Sequence, residues 1–209
     1  MKRLVIGIAG PSGSGKTLLV DNIVSSFPPS LVTVLREDCY YKDQSHLSME
    51  DRQAKNYDEP AAFEHTLMLD HLEALCSGEN VDMPMYDYST YTRLNECHKL
   101  TSAPIILIDG ILILTEQGIR ERSDLSLFID APLDTCLIRR IRRDTSSRQR
   151  TLESVLKQYE CFVRPMYWQH ISPSKEFADL VVTGGGGNPK ALDLIEVKIR
   201  NFIDRMNMS

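Results

Sequence analysis

The chain has 209 residues, 42% of them hydrophobic, which suffices for one well-buried core carrying an insertion or a lid. A net charge of −5 argues against a general binder of nucleic acid or anionic membrane, since both call for a positive surplus, so any phosphate site must be local. Cys39, Cys76, Cys97, Cys136 and Cys161 are odd in number, widely spread and without a C-x-x-C pair, which argues against a disulfide framework or zinc site and points to reduced thiols in a cytoplasm.

Residues 4–9 form an apolar run that follows Met1-Lys2-Arg3; at six residues it predicts a strand and not a signal peptide. Directly after it comes Gly10-Pro11-Ser12-Gly13-Ser14-Gly15-Lys16-Thr17, a full G-x-x-x-x-G-K-[ST], and then a helical pattern over 16–26. The glycines let the backbone N–H groups of Gly10, Ser12, Gly13, Ser14 and Gly15 turn toward one point. The helix N-terminus adds positive potential, Lys16 can reach the outer phosphates, and Thr17 can offer a hydroxyl to Mg²⁺. The motif predicts binding of a nucleoside triphosphate, ATP or GTP, with Mg²⁺.

A second strand is expected over 31–35, followed by Glu37-Asp38 where α/β sheets place functional loops. Transfer to a hydroxyl needs a carboxylate near the acceptor, and Asp38 is the expected base, with a turn-forming role as the alternative. A helix is predicted over 60–76. Residues 81–101 break the rhythm: the alternation around Met83-Pro84-Met85-Tyr86-Asp87-Tyr88 predicts an antiparallel hairpin inserted beside the main sheet as a wall for a second substrate. Tyr86 and Tyr88, at alternate positions, would point the same way and could stack on a planar base or simply pack the edge.

The strand over 105–108 ends in Asp109-Gly110. Asp109 can serve the metal, yet no carboxylate follows it to activate water, which shifts the expectation from hydrolysis toward transfer to a bound acceptor. The apolar stretch 104–114 that holds this strand is far shorter than a membrane span, so the protein reads as soluble. After a strand over 125–129 and a helix over 133–144, Arg139, Arg140, Arg142, Arg143, Arg148 and Arg150 crowd into twelve residues. Positioned guanidiniums accelerate phosphoryl transfer, so the region about 139–158 reads as a lid with Arg143 among its catalytic groups; helical spacing puts Arg139 and Arg143 on one face and Arg140 elsewhere, so not all reach one site. A helix over 151–170, a strand over 180–183, a glycine loop over 184–187 and a helix over 189–206, capped by Asn188 and Pro189, complete the chain. Strands separated by helices imply a parallel sheet. The expected fold is a single α/β domain of P-loop NTPase type over 1–209, a parallel sheet flanked by helices with a hairpin insertion and a helical arginine lid.

These residues resemble the uridine kinase (uridine–cytidine kinase) family, particularly its bacterial members. The resemblance rests on the Gly10 to Thr17 loop, EDCYYKDQSHLSMEDR from Glu37, NYDEPAAFEH from Asn56, PMYDYSTYTR from Pro84, ILIDGILIL from Ile106, RRIRRD from Arg139 and QYECFVRPM from Gln158. It implies ATP-dependent phosphorylation of a nucleoside 5′-hydroxyl for pyrimidine salvage, usually in a homotetramer. By the same resemblance Asp38 is the base and, with Thr17 and Asp109, lies near Mg²⁺. Asp58 and Arg140 match ribose-holding positions, Tyr86 and Arg150 acceptor-site positions, Tyr88 a base-pocket aromatic and Gln158 a further nucleoside contact. Arg143 and Arg148 match lid arginines that meet the triphosphate. The chain departs from the pattern in having Asp109 where Glu is frequent, Gln149 where the lid has glycine, Gly184 where an arginine is common, and Tyr91 and Glu59 where histidines are usual. A tyrosine hydroxyl at the base-reading position, or Glu59, could accept from the exocyclic amine of cytosine, so a tilt toward cytidine is expected. The alternatives are a related kinase acting on another alcohol and, further off, a nucleotide-dependent switch or ATPase.

Overall fold

The computed structural model describes residues 2–208. Five strands, β1 (Leu4–Ala9), β2 (Val32–Arg36), β5 (Ile105–Asp109), β6 (Leu125–Asp130) and β7 (Leu180–Thr183), form a sheet in the order β2-β5-β1-β6-β7. Every pairing in it is parallel. The central strand β1 is buried along its whole length because both faces of the sheet are covered, as parallel sheets require.

Side-chain alternation splits the interior in two. Val5 and Ala9 of β1, with Ile106 and Ile108 of β5, face a core built with Met68, Leu72 and Leu75 of α3 (His65–Ser77). Leu4, Ile6 and Ile8, with Ile105 and Leu107, face the opposite core, formed with Leu19, Val20 and Ile23 of α1 (Lys16–Ser25) and Ile195 and Ile199 of α9 (Pro189–Asn207). Asn188 caps α9 as expected, its side-chain oxygen accepting from the backbone N–H groups of Lys190 and Ala191.

The inserted hairpin is present as β3 (Val81–Asp87) and β4 (Thr92–Leu100), paired antiparallel with a register shift between Pro84 and Tyr86. Three expectations need correction. The helix expected from residue 60 begins at His65, because Phe63 is extended, pairs with Tyr41 and leaves Pro60–Ala62 as a separate 3₁₀ turn. Short helices α2 (Met49–Gln53) and α4 (Gln117–Arg122) carry too little periodicity to read from sequence. The helix expected over 151–170 is interrupted: α6 (Leu152–Gln158), α7 (Arg164–Met166) and α8 (Ser172–Ser174) are joined by π turns at Tyr159–Val163 and Tyr167–Ile171. Pro165 and Pro173 lack the N–H that an unbroken α-helix would use there. Before them, α5 (Leu133–Ser147) runs three residues past its expected end. Among the described residues no helix is long and apolar enough to cross a membrane.

Candidate active site

The loop after β1 wraps the N-terminus of α1. Gly13 sits at φ 85°, and a Cβ there would lie 2.4 Å from the carbonyl oxygen of Cys136 on α5, so only glycine lets the loop pass so close to that helix. The glycine loop after β7 docks backbone to backbone, Gly186 N–H donating to the Ser14 carbonyl at 3.0 Å. Lys16 is buried, and its ammonium donates to the carbonyls of Gly10 (2.9 Å) and Pro11 (3.2 Å), folded back over the loop where the phosphates of a nucleotide would lie. Among the described residues the buried Ser14 hydroxyl has no hydrogen-bond partner.

The strand ends bring the acidic groups to the same rim. The Thr17 hydroxyl donates to Asp109 Oδ2 at 3.2 Å, and Arg36 Nη1 reaches the same oxygen at 3.3 Å. Burial pushes the Asp109 carboxyl up, Lys16 pulls it down, and the charge of Asp38 pushes it up again. A buried carboxylate with a second one nearby, beside a hydroxyl, fits a small hard cation such as Mg²⁺. Among the described residues there is no cluster of three or more His, Cys, Asp or Glu that could hold a metal ion. Of the adjacent pair Glu37 and Asp38, only Asp38 lines the cavity. Glu37 is fully buried, accepting from the Leu112 N–H at 2.9 Å and contacting His65 Nε2 at 2.8 Å.

The arginines converge on one carboxylate. Asp144 is fully buried and takes a hydrogen bond from Arg143 Nε at 2.8 Å, with Arg140 and Arg148 at 3.6 Å and Arg150 at 3.7 Å. Burial alone would raise the Asp144 carboxyl; the surrounding guanidiniums, Arg143 foremost, hold it below its ordinary value. Arg140 also reaches the Ser12 hydroxyl (3.0 Å) and, together with Arg150, the Gln158 side-chain oxygen (2.7 and 2.5 Å). Arg139, Arg140, Arg143, Arg148 and Arg150 all line the cavity, more than helical spacing suggested, because the chain turns back after α5 and returns Arg148 and Arg150 to it. That turn is made at Gln149, whose φ is +53°.

The far wall is aromatic. Tyr86 and Tyr88 meet edge to face at 5.6 Å, Tyr41 lies 5.1 Å from Tyr86 and 5.5 Å from Tyr57, and Tyr57 lies 5.4 Å from Tyr91. The Arg148 guanidinium covers the Tyr88 ring at 4.0 Å. The buried hydroxyls of Tyr57 and Tyr86 face each other, and burial pushes both phenols up. Asp58 is buried beside them; burial pushes its carboxyl up, Arg140 pulls it down and the Asp38 charge pushes it up.

One cavity of about 620 Å³ joins these walls. Ser12, Gly13, Gly15, Lys16, Thr17, Asp38, Asp58, Tyr86, Tyr88, Tyr91, Asp109, Arg140, Arg143, Arg148, Arg150 and Gln158 all line it, while the expected Gly10 and Ser14 do not. Glu59 does not line it, and its carboxylate accepts from Asn56 Nδ2 at 3.2 Å. Sequence reasoning passed over Tyr41, Tyr57, Arg36 and Asp144. One had a readable signal: Asp144 stands four residues after Arg140 on a helix.

The model of the phosphoribulokinase / uridine kinase family matches residues 5–189. The chain belongs to this family. Within the family's reach, the uridine kinases of Escherichia fergusonii and of Escherichia coli strain K12 are each 45% identical over 205 residues, 96% of this chain and 96% of theirs. Phosphoribulokinase from Rhodobacter spheroides superposes with a TM-score of 0.62 at 16% identity, over 90% of this chain and 74% of its own, so the fold is common to the family beyond recognisable sequence.

Proposed function

We propose that the protein transfers the γ-phosphoryl group of ATP to the 5′-hydroxyl of a pyrimidine nucleoside, forming the monophosphate in pyrimidine salvage. Near full-length identity of 45% to uridine kinases supports a kinase acting on a nucleoside hydroxyl. The observation that carries the reading is that Gly13, Gly15, Lys16 and Thr17 of the glycine loop, Asp38, and Tyr86, Tyr88 and Tyr91 of the hairpin all line one cavity. The Asp38 charge raises the carboxyl pKa of Asp109 at one end and Asp58 at the other, as a group near both would.

In this mechanism the loop amides and Lys16 bind the β- and γ-phosphates, Lys16 exchanging the Gly10 and Pro11 carbonyls for phosphate oxygens. Thr17, Asp109 and Asp38 would hold Mg²⁺, which when bound neutralises charge on the phosphates. Asp58 and Arg140 hold the ribose hydroxyls, Tyr86, Arg150 and Gln158 fix the nucleoside, and Tyr88 stacks at the base. Asp38 accepts the 5′-hydroxyl proton as the new P–O bond forms and the bond to ADP breaks. Arg143 and Arg148 meet the charge spread over the transferring group, and lid closure excludes water.

Tyr91 is the proposed base reader, since Glu59 stands off the cavity wall and is engaged by Asn56. Its hydroxyl accepting from the cytosine amine favours cytidine over uridine. Incubation with MgATP and cytidine or uridine, with the product read by ³¹P NMR, tests the reading: a phosphomonoester coupled to the two 5′ protons is expected, and phosphate at another position or free inorganic phosphate would contradict it. Assembly as a homotetramer, which the resemblance implies, is checked by light scattering against a chain mass of 23.8 kDa.

A further inference from the structure

The mechanism uses Asp38 but leaves its neighbour Glu37 without a role, although Glu37 is the more tightly held of the two. Among the described residues no hydrogen bond holds the Asp38 carboxylate directly, so its position depends on the turn Glu37–Tyr40 that carries it. Glu37 Oε2 accepts from the Leu112 N–H at 2.9 Å, tying this turn to the loop after β5. Its Oε1 lies 2.8 Å from His65 Nε2 at the start of α3, and His65 Nδ1 lies 3.2 Å from Oε1 of Glu116, the residue that precedes α4. A carboxylate thus stands at each ring nitrogen. Burial alone would lower the His65 pKa, but Glu37 and then Glu116 raise it above its ordinary value.

The loop after Asp109 is shaped around this carboxylate. A Cβ at Gly110 would fall 2.4 Å from Glu37 Oε2 and 2.5 Å from Glu37 Cβ, so the position that in a hydrolase could hold a water-activating carboxylate must here be bare. On the other side the His65 ring stacks on Phe63 at 5.2 Å, and Phe63 stacks on Tyr41 at 4.2 Å, in the wall of the acceptor pocket. A continuous set of contacts therefore runs from that wall through Phe63, His65 and Glu37 to the Asp38 turn and the metal-side strand end.

We propose that Glu37, held by His65 and Glu116, is a positioning residue of the phosphoryl transfer: it fixes the turn so that the Asp38 carboxylate stays at the junction of the acceptor and donor ends of the cavity. This rests on Asp38 being the base. A buried ion pair that merely supports the fold would slow the enzyme whatever base is present, whereas a positioning group matters only while there is a base to position.

The test is a double-mutant cycle. Single-turnover transfer from γ-labelled ATP to cytidine and to uridine is measured for wild type, His65→Ala, Asp38→Asn and the double variant. In the wild-type background His65→Ala is expected to slow transfer ~10–100-fold, with KM for both substrates within about threefold, the size of effect that a misplacement near 1 Å produces. In the Asp38→Asn background the same change is expected to cost less than about threefold, because the group being positioned is gone. Glu116→Gln, at the half-exposed outer end, keeps the test open should His65→Ala fold poorly, and is expected to give a smaller loss in the same pattern. Equal factors in both backgrounds, or an effect confined to KM, would overturn the positioning role while leaving Asp38 as base. A near-normal rate for Asp38→Asn alone would remove the base, and the proposal with it.

Discussion

Replacing Asp144 by Asn removes one negative charge from the centre of the arginine cluster while keeping the side chain's size. In the wild type that fully buried carboxylate faces four guanidiniums, hydrogen-bonded to Arg143 at 2.8 Å and paired with Arg140, Arg148 and Arg150 at 3.6 to 3.7 Å. Breaking a buried ionic network by removing one partner costs about 3–5 kcal/mol, and the lower end applies because the Arg143 and Arg148 side chains are 38% and 22% exposed. A loss of ~3 kcal/mol in a chain of this length lowers Tm by roughly 6–12 °C. The sign with pH follows from the depressed Asp144 pKa: its contribution is present above the ordinary carboxyl value of 3.8 and is lost as pH falls through the lower folded-state value. Melting curves of both proteins from pH 8 down to pH 4 should therefore run parallel, with the gap closing only below that range. A gap under about 2 °C at neutral pH would refute the idea that Asp144 organises the arginine cluster; closure between pH 7 and 5 would show its carboxyl to be raised, not lowered.

Tyr91→His is expected to shift the cytidine-to-uridine ratio of kcat/KM toward uridine by about tenfold, the worth of one hydrogen bond in a closed pocket. Steady-state kinetics with each nucleoside measures it, and an unchanged ratio would remove Tyr91 as base reader. Gln149 holds a left-handed backbone, a conformation that costs a non-glycine residue on the order of 1 kcal/mol. Gln149→Gly relieves that strain but frees the unfolded chain, so a Tm between unchanged and roughly 4 °C higher is expected from differential scanning fluorimetry; a fall of that size would mean the Gln149 side chain stabilises the turn.

Much of the fold was legible because parallel strands read as short β-branched runs between helical patterns, and β1, β5 and β7 were found within a residue of their true bounds. The helix boundary at His65 was not, because Phe63 is held extended by pairing with Tyr41, a partner 22 residues earlier that local propensity cannot see. The interruption of the helix expected over 151–170 was missed although Pro165 lies inside it, and the form it takes, π turns and not a break, depends on packing of the whole segment. At the site, the glycine loop and the strand end at Asp109 were expected at one rim from the strand–loop–helix pattern, and the Thr17 hydroxyl does meet Asp109. Asp144 was hidden among arginines that drew the eye as a lid, and Glu37 and His65, 28 residues apart, meet only through the fold.

The central claim is that phosphate leaves ATP for a bound nucleoside hydroxyl and not for water. ATP consumption measured across a panel of nucleosides, other alcohols and a no-acceptor control tests it most directly. Consumption should depend on a pyrimidine nucleoside and match the monophosphate formed mole for mole; ATP loss at a comparable rate with no acceptor, or with an unrelated alcohol in preference to both nucleosides, would contradict it.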